Sequence, residues 1–109
     1  MNQRDVVLVY YPYTNFEQTK LRPAIILSSN SFNKEHAFCI LCPITSKESL
    51  SKYVMEILPQ NIEGKLKTKS YIRTDNIMSI EKELLLDQVG KVTLPFFEKI
   101  RKQVEQNFV

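Results

Sequence analysis

Val6-Val7-Leu8-Val9-Tyr10-Tyr11, followed by Pro12, has no charged residue and no polar alternation. A run of β-branched, aliphatic and aromatic residues of this length reads as a strand covered on both faces, and the proline, lacking an N–H for the ladder, stops it. Downstream, Thr14 to Leu21 is polar without a period and reads as a loop. Pro23 biases Arg22 towards extended geometry at a loop-to-strand junction before the apolar run Ala24 to Leu27. Ser28 to Ser31 supplies turn chemistry and an N-cap for a short helical turn near Phe32 to Lys34. A third buried strand runs from Phe38 to Ile44 and ends in Thr45 and Ser46. Tyr53 to Leu58 alternates as a fourth strand, Pro59 to Gly64 is turn-like, and Ser70 to Ile80 reads as a fifth.

The last element has a different period. Thr93 is placed as an N-cap, Pro95 falls in the first turn, and Phe97, Ile100, Val104 and Phe108 recur at helical spacing, which predicts an amphipathic helix over Pro95 to Asn107. A weaker helical turn is expected at Glu81 to Leu86. Short strands closed by a terminal helix predict a mainly β fold, a small twisted antiparallel barrel with a C-terminal helix.

Composition bounds the function. The 109 residues carry 15 Lys and Arg against 12 Asp and Glu, a net charge of +3, with 43% hydrophobic residues. At this length roughly 65% of the unfolded surface can be buried, enough for one core, so a single domain over 1–109 is expected. No apolar run approaches the ~20 residues of a membrane span, and Met1 to Asp5 is too polar for a signal peptide, which points to the cytoplasm. Two cysteines cannot make a disulfide framework. The Cys39-x-x-Cys42 spacing lies inside an apolar strand, where positions three apart face opposite ways, so both read as buried thiols and no metal site is expected. His36, the sole histidine, falls in a polar turn and is expected in solvent. Two glycines are too few for a phosphate-cradling loop. The acid-free run Lys65, Lys67, Lys69 and Arg73 marks a basic face, compatible with nucleic acid.

Three features carry chemistry. Strand alternation puts Tyr71, Arg73 and Asp75 on one side, with Ile72 and Thr74 on the other. As a surface ion pair Arg73 and Asp75 would be worth at most ~1 kcal/mol. On a phosphodiester, Asp75 could take a proton while Arg73 neutralises charge growing on the phosphoryl oxygens. Arg22, held before a proline beside a polar loop, suits planar recognition of phosphate. The hydroxyls of Thr45 and Ser46 at a strand end can donate to an anionic oxygen.

The collinear pieces Arg4-Asp5-Val6-Val7, Phe16-Glu17-Gln18, Arg22-Pro23-Ala24, Pro43-Ile44-Thr45-Ser46 and Ile72-Arg73-Thr74-Asp75-Asn76-Ile77 resemble the MazF/PemK family of toxin endoribonucleases. The resemblance runs through nearly the whole chain. It implies an SH3-like barrel, a homodimer, metal-independent cleavage of single-stranded RNA with no cofactor, and inhibition by a cognate antitoxin whose extended acidic tail occupies the RNA groove and with which such toxins bind DNA. It transfers catalytic roles to Arg22, Thr45, Arg73 and Asp75. Glu17 and Gln18 fall in the family's flap, and Lys20, Ser46 and Asn76 are expected as further substrate contacts. This chain departs from the family in three places: the usual glycines around Glu-Gln are missing, Leu21 stands where some members have His, and Asn76 stands where Gln is common.

The ribose 2′-OH would serve as nucleophile, leaving a 2′,3′-cyclic phosphate and a 5′-hydroxyl. Unpaired bases would stack on aromatics such as Tyr13, Phe16 or Tyr71. The competing reading is a non-catalytic binding module, or a topoisomerase poison of the CcdB kind. A proline-peptide adaptor is disfavoured because the chain has no Trp.

Overall fold

The computed structural model describes residues 1–10, 21–64 and 66–109. Its strands are β1 (Asp5–Tyr10), β2 (Leu21–Ile26), β3 (Phe38–Thr45), β4 (Val54–Ile57), β5 (Ile62–Gly64), β6 (Ser70–Arg73), β7 (Met78–Glu81) and β8 (Leu85–Val92). Two helices, α1 (Asn30–Glu35) and α2 (Leu94–Gln106), complete it. The pairings are antiparallel and form one curled open sheet in the order β4-β6-β3-β2-β1-β8-β5, with β7 also on β3. The expected mainly β architecture with a terminal helix is what forms. No helix among the described residues is long and apolar enough to cross a membrane.

The unbroken apolar pattern of β1 has a direct cause. Val6 packs with Ile25, Cys42, Ile72, Phe97 and Ile100 beneath α2, while Val7 and Val9 pack with Ala24, Ile26, Leu41, Met78 and Ile80 inside the curl. Both faces are buried, so alternation is lost. Cys39 and Cys42 are free, buried and divided between these two cores. Caps fall where the side chains dictate: Ser29 accepts from the Phe32 N–H at 3.1 Å, and Thr93 accepts from the Phe96 N–H at 3.4 Å.

Several expectations need correction. The strand expected over Ser70 to Ile80 is two strands, β6 and β7, lying on successive halves of β3. Between Ile44↔Ile72 and Leu41↔Met78 the register slips by three residues, so the segment between β6 and β7 bulges out. Thr74 anchors that bulge: it is fully buried, and its hydroxyl donates to the Tyr53 carbonyl at 2.6 Å. The expected turn at Pro59 to Gly64 contains β5. The segment after Glu81 holds only a 3₁₀ turn, Lys82–Leu84, before the long strand β8.

In β8, Asp87, Gln88 and Gly90 interrupt the apolar pattern, and two register shifts against β1 erase its alternation. Gly90 is nonetheless required. It sits opposite Gly64, and a Cβ there would lie 2.7 Å from the Glu63 carbonyl oxygen. In α2, Phe97 and Ile100 are buried as expected, joined by Phe96, but Phe108 lies past the helix end and is 78% exposed. His36 is half-buried rather than solvated, stacked on Phe32 at 3.9 Å with Nδ1 2.9 Å from the Phe32 carbonyl.

Candidate active site

The slip that divides β6 from β7 also builds a cleft. Thr45, the last residue of β3, is paired with Tyr71 on β6, so Thr45, Tyr71 and Arg73 share one face of the sheet. Asp75 comes off the bulge just beyond. The bulge turns it back onto Arg73, whose Nε donates to Oδ1 at 2.9 Å and Nη2 to Oδ2 at 3.0 Å. This is a forked, two-bond pair. The bond to Asp75 raises the Arg73 guanidinium above its ordinary range, and the bond from Arg73 holds the Asp75 carboxyl below the usual carboxylate range. Both side chains are solvent-accessible, at 46% and 36%. The pair therefore fixes geometry and adds little to stability.

A cleft of about 240 Å³ is lined by Arg73, Asp75, Thr45, Val54 and the loop residues Lys47, Glu48, Ser49 and Ser51. Its hydroxyls follow a repeated local pattern. Thr45 Oγ1 accepts from the Lys47 N–H at 3.1 Å, Ser49 Oγ from the Ser51 N–H at 3.1 Å, and Ser51 Oγ from the Tyr53 N–H at 3.2 Å. Each hydroxyl satisfies a backbone donor two residues on, which is how Ser and Thr hold a loop in place. Because the oxygen accepts, each hydroxyl proton remains available for an anionic oxygen.

Arg22 approaches from the other side of β3. It pairs with Val9 in the β1–β2 ladder, and it lies two residues before Ala24 as Thr45 lies two residues after Ala24's partner Pro43. Arg22 is thus on the same sheet face as Thr45 and Arg73, exposed, and outside the lining of the cleft. Among the described residues it makes no ion pair, which leaves its charge available.

The structure brings together Thr45, Arg73 and Asp75 but does not add Ser46 or Asn76 to the cleft lining. Both are exposed, and the Asn76 N–H serves the turn by donating to the Arg73 carbonyl at 3.3 Å. Glu17, Gln18 and Lys20 lie outside the described residues, as do Tyr13, Phe16 and Lys65. Tyr71 is only 5% exposed, so it packs and offers no open face to a base. Of the expected basic run, Lys69 is engaged by Glu56 at 3.4 Å. The sequence reading missed Lys47, Glu48, Ser49 and Ser51. The Ser/Thr spacing 45, 49, 51 was their only signal.

The family model describing PemK-like, MazF-like toxins of type II toxin–antitoxin systems matches residues 2–108. The chain belongs to that family. Among solved structures it is similar to an endoribonuclease from a mycobacterial species in complex with its cognate antitoxin, with a TM-score of 0.80 at 21% identity over 97% of this chain and 92% of that one. It is also similar to MazF in a MazE–MazF crystal structure from Deinococcus radiodurans, with a TM-score of 0.82 at 16% identity over 99% and 95%. The toxin MazF-mt6 of Mycobacterium tuberculosis gives 0.79 at 19% identity over 96% of each chain. At such identities the likeness is one of fold. No curated protein matches the chain by sequence.

Proposed function

We propose that this chain is a toxin that cleaves single-stranded RNA without a metal ion, using the substrate's own 2′-OH as nucleophile. The observation that carries the reading is the forked Arg73–Asp75 pair in a cleft edged by Thr45, Ser49 and Ser51 hydroxyls, on the sheet face that also bears Arg22. Phosphoryl transfer from RNA needs little covalent help from the enzyme. It needs the attacking and leaving oxygens aligned, and charge on the non-bridging oxygens stabilised.

Arg73 keeps N–H donors beyond the two spent on Asp75, and those donors fit phosphoryl oxygens. Arg22 adds a second cation and Thr45 a hydroxyl donor. Asp75 aims the guanidinium and, since Arg73 occupies only two of a carboxylate's roughly four lone-pair sites, can also take the 2′-OH proton. The products are a 2′,3′-cyclic phosphate and a 5′-hydroxyl. The protein acts in the cytoplasm as a homodimer and is silenced by a cognate antitoxin with an extended acidic segment. Family membership and the antitoxin named with its structural relatives support that partner.

Incubating the pure protein with an unstructured oligoribonucleotide in excess chelator tests the reading. Wild type is expected to cut, and Arg73→Ala to lose about 10²- to 10³-fold in rate. No cutting would replace this reading with a binding module or a topoisomerase poison, and cutting only on addition of a metal ion would overturn the metal-independent mechanism.

A further inference from the structure

β4 leads out of the cleft on the face that bears Arg73. Val54, which lines the cleft, pairs with Arg73, and two residues further on Glu56 pairs with Tyr71. Paired residues share a face of the sheet and so do alternate ones, so Glu56 points the same way as Val54, Arg73 and Thr45. It lies about 7 Å along the strand from Val54, the scale of one nucleotide step in an extended chain. Lys69, two residues before Tyr71, reaches across to it diagonally, Nζ to Oε2 at 3.4 Å. Both side chains are exposed, so the pair adds little to stability.

A second cavity, of about 520 Å³, opens at this pair. Its walls include Ile57, Leu58, Pro59, Ile62 and Leu66, and Glu56 and Lys69 are the only charged side chains among the described residues that line it. Apolar walls with a few polar groups to fix orientation suit a flat heterocyclic ring. The two hollows are neighbours: the Lys69 ammonium is held above its ordinary range by Glu56 first, with Tyr71 and the cleft residue Glu48 adding to it. The ion pair leaves both partners with capacity, because an ammonium has three protons and a carboxylate about four lone-pair sites.

Resting on the proposed ribonuclease reading, we infer that this cavity takes an unpaired base flanking the scissile phosphate, and that Glu56 and Lys69 select guanine. The Watson–Crick edge of guanine sets two donor atoms, N1 and N2, beside the O6 acceptor. A carboxylate accepts from both donors side by side, and the adjacent ammonium donates to O6. No other base presents two neighbouring donor atoms, so each of the others leaves one carboxylate oxygen unmatched. The aliphatic walls cover the faces of the ring, while the phosphate beside it stays at Arg73 and Thr45.

Sequencing the ends made from a randomised single-stranded RNA should show guanine enriched at one fixed position, adjacent to the cut or one nucleotide removed. Oligoribonucleotides with guanine or inosine at that position then isolate the N2 amine. Wild type should lose about tenfold in kcat/KM on inosine, whereas Glu56→Ala should cut the two within about twofold of each other and keep the wild-type Tm. Lys69→Ala should slow both substrates and preserve the ratio between them, since inosine retains O6. Arg73→Ala should slow every substrate and also leave the ratio unchanged. Wild-type cutting with no preference for guanine, or a guanine-to-inosine ratio that survives Glu56→Ala, would overturn the assignment and leave the ribonuclease reading standing. Failure of wild type to cut any RNA would remove both.

Discussion

The two halves of β3 lie against different neighbours and do different work. From Phe38 to Leu41 the strand pairs with β7, and Cys39 and Leu41 are wholly buried in the core inside the curl. At Ile44 and Thr45 it pairs with β6, and there the same face emerges into a cleft of hydroxyls and ions. What separates them is a three-residue slip in the partner strand. An uninterrupted ladder would have continued the apolar face. The slip ejects a short segment, and that segment carries Asp75. In the proposed reading a single strand thus anchors one end of the face and presents its other end to substrate, which keeps the groups assigned to catalysis on a rigid element.

Substitutions at the two halves should separate stability from activity. Leu41→Ala, in the anchoring half, should cost about 2–5 kcal/mol of stability in denaturant titrations, because a fully buried leucine leaves a cavity. A loss below about 1 kcal/mol would break the comparison. Arg73→Ala, beside the presenting half, should do the reverse: its loss of about 10²- to 10³-fold in cleavage rate should come with less than about 1 kcal/mol of stability, since the Arg73–Asp75 pair is exposed. A large drop in Tm would recast the pair as structural.

Thr74→Val lies between these extremes. It removes the hydroxyl that ties the bulge to the Tyr53 carbonyl and accepts at 3.4 Å from Asn107 Nδ2, so about 1–3 kcal/mol should be lost, with impaired cleavage from a displaced Asp75. Thermal unfolding and rate measurements on the one variant check both.

The effect that is smallest at neutral pH belongs to Cys42, at the junction of the halves. Burial first, and the Asp75 charge second, push its thiol up to about 12 from an ordinary value near 9. Its folded value is raised, so the associated stability is fully present below about pH 9 and falls as pH climbs towards 12. Cys42→Ser, which does not ionise there, should flatten that alkaline decline; an unchanged profile would refute burial as the cause.

How far the sequence disclosed this molecule follows from what each residue had to signal. β1 to β3 and α2 were legible because apolar runs and caps such as Thr93 act locally. The site was legible in part, since alternation alone places Arg73 beside Asp75, and the pieces resembling MazF and PemK pointed to Arg22 and Thr45. β8 was hidden because its polar centre and Gly90 answer to β5, which is remote in sequence, and its register shifts erase the period. The break at Thr74 was hidden for a similar reason: its cause is a bond to Tyr53, twenty-one residues earlier. Lys47 and Glu48 look like any solvated loop until the cleft places them beside Arg73.

The central chemical claim is that the RNA attacks itself while this face stabilises the charge. The direct measurement is the cutting of an oligoribonucleotide in which one 2′-OH, on the 5′ side of a mapped cut, is replaced by hydrogen. Cleavage should stop at that linkage alone, while the remaining cuts still end in 2′,3′-cyclic phosphate and 5′-hydroxyl. Undiminished cutting at the deoxy position would mean that water is the nucleophile and would contradict the account.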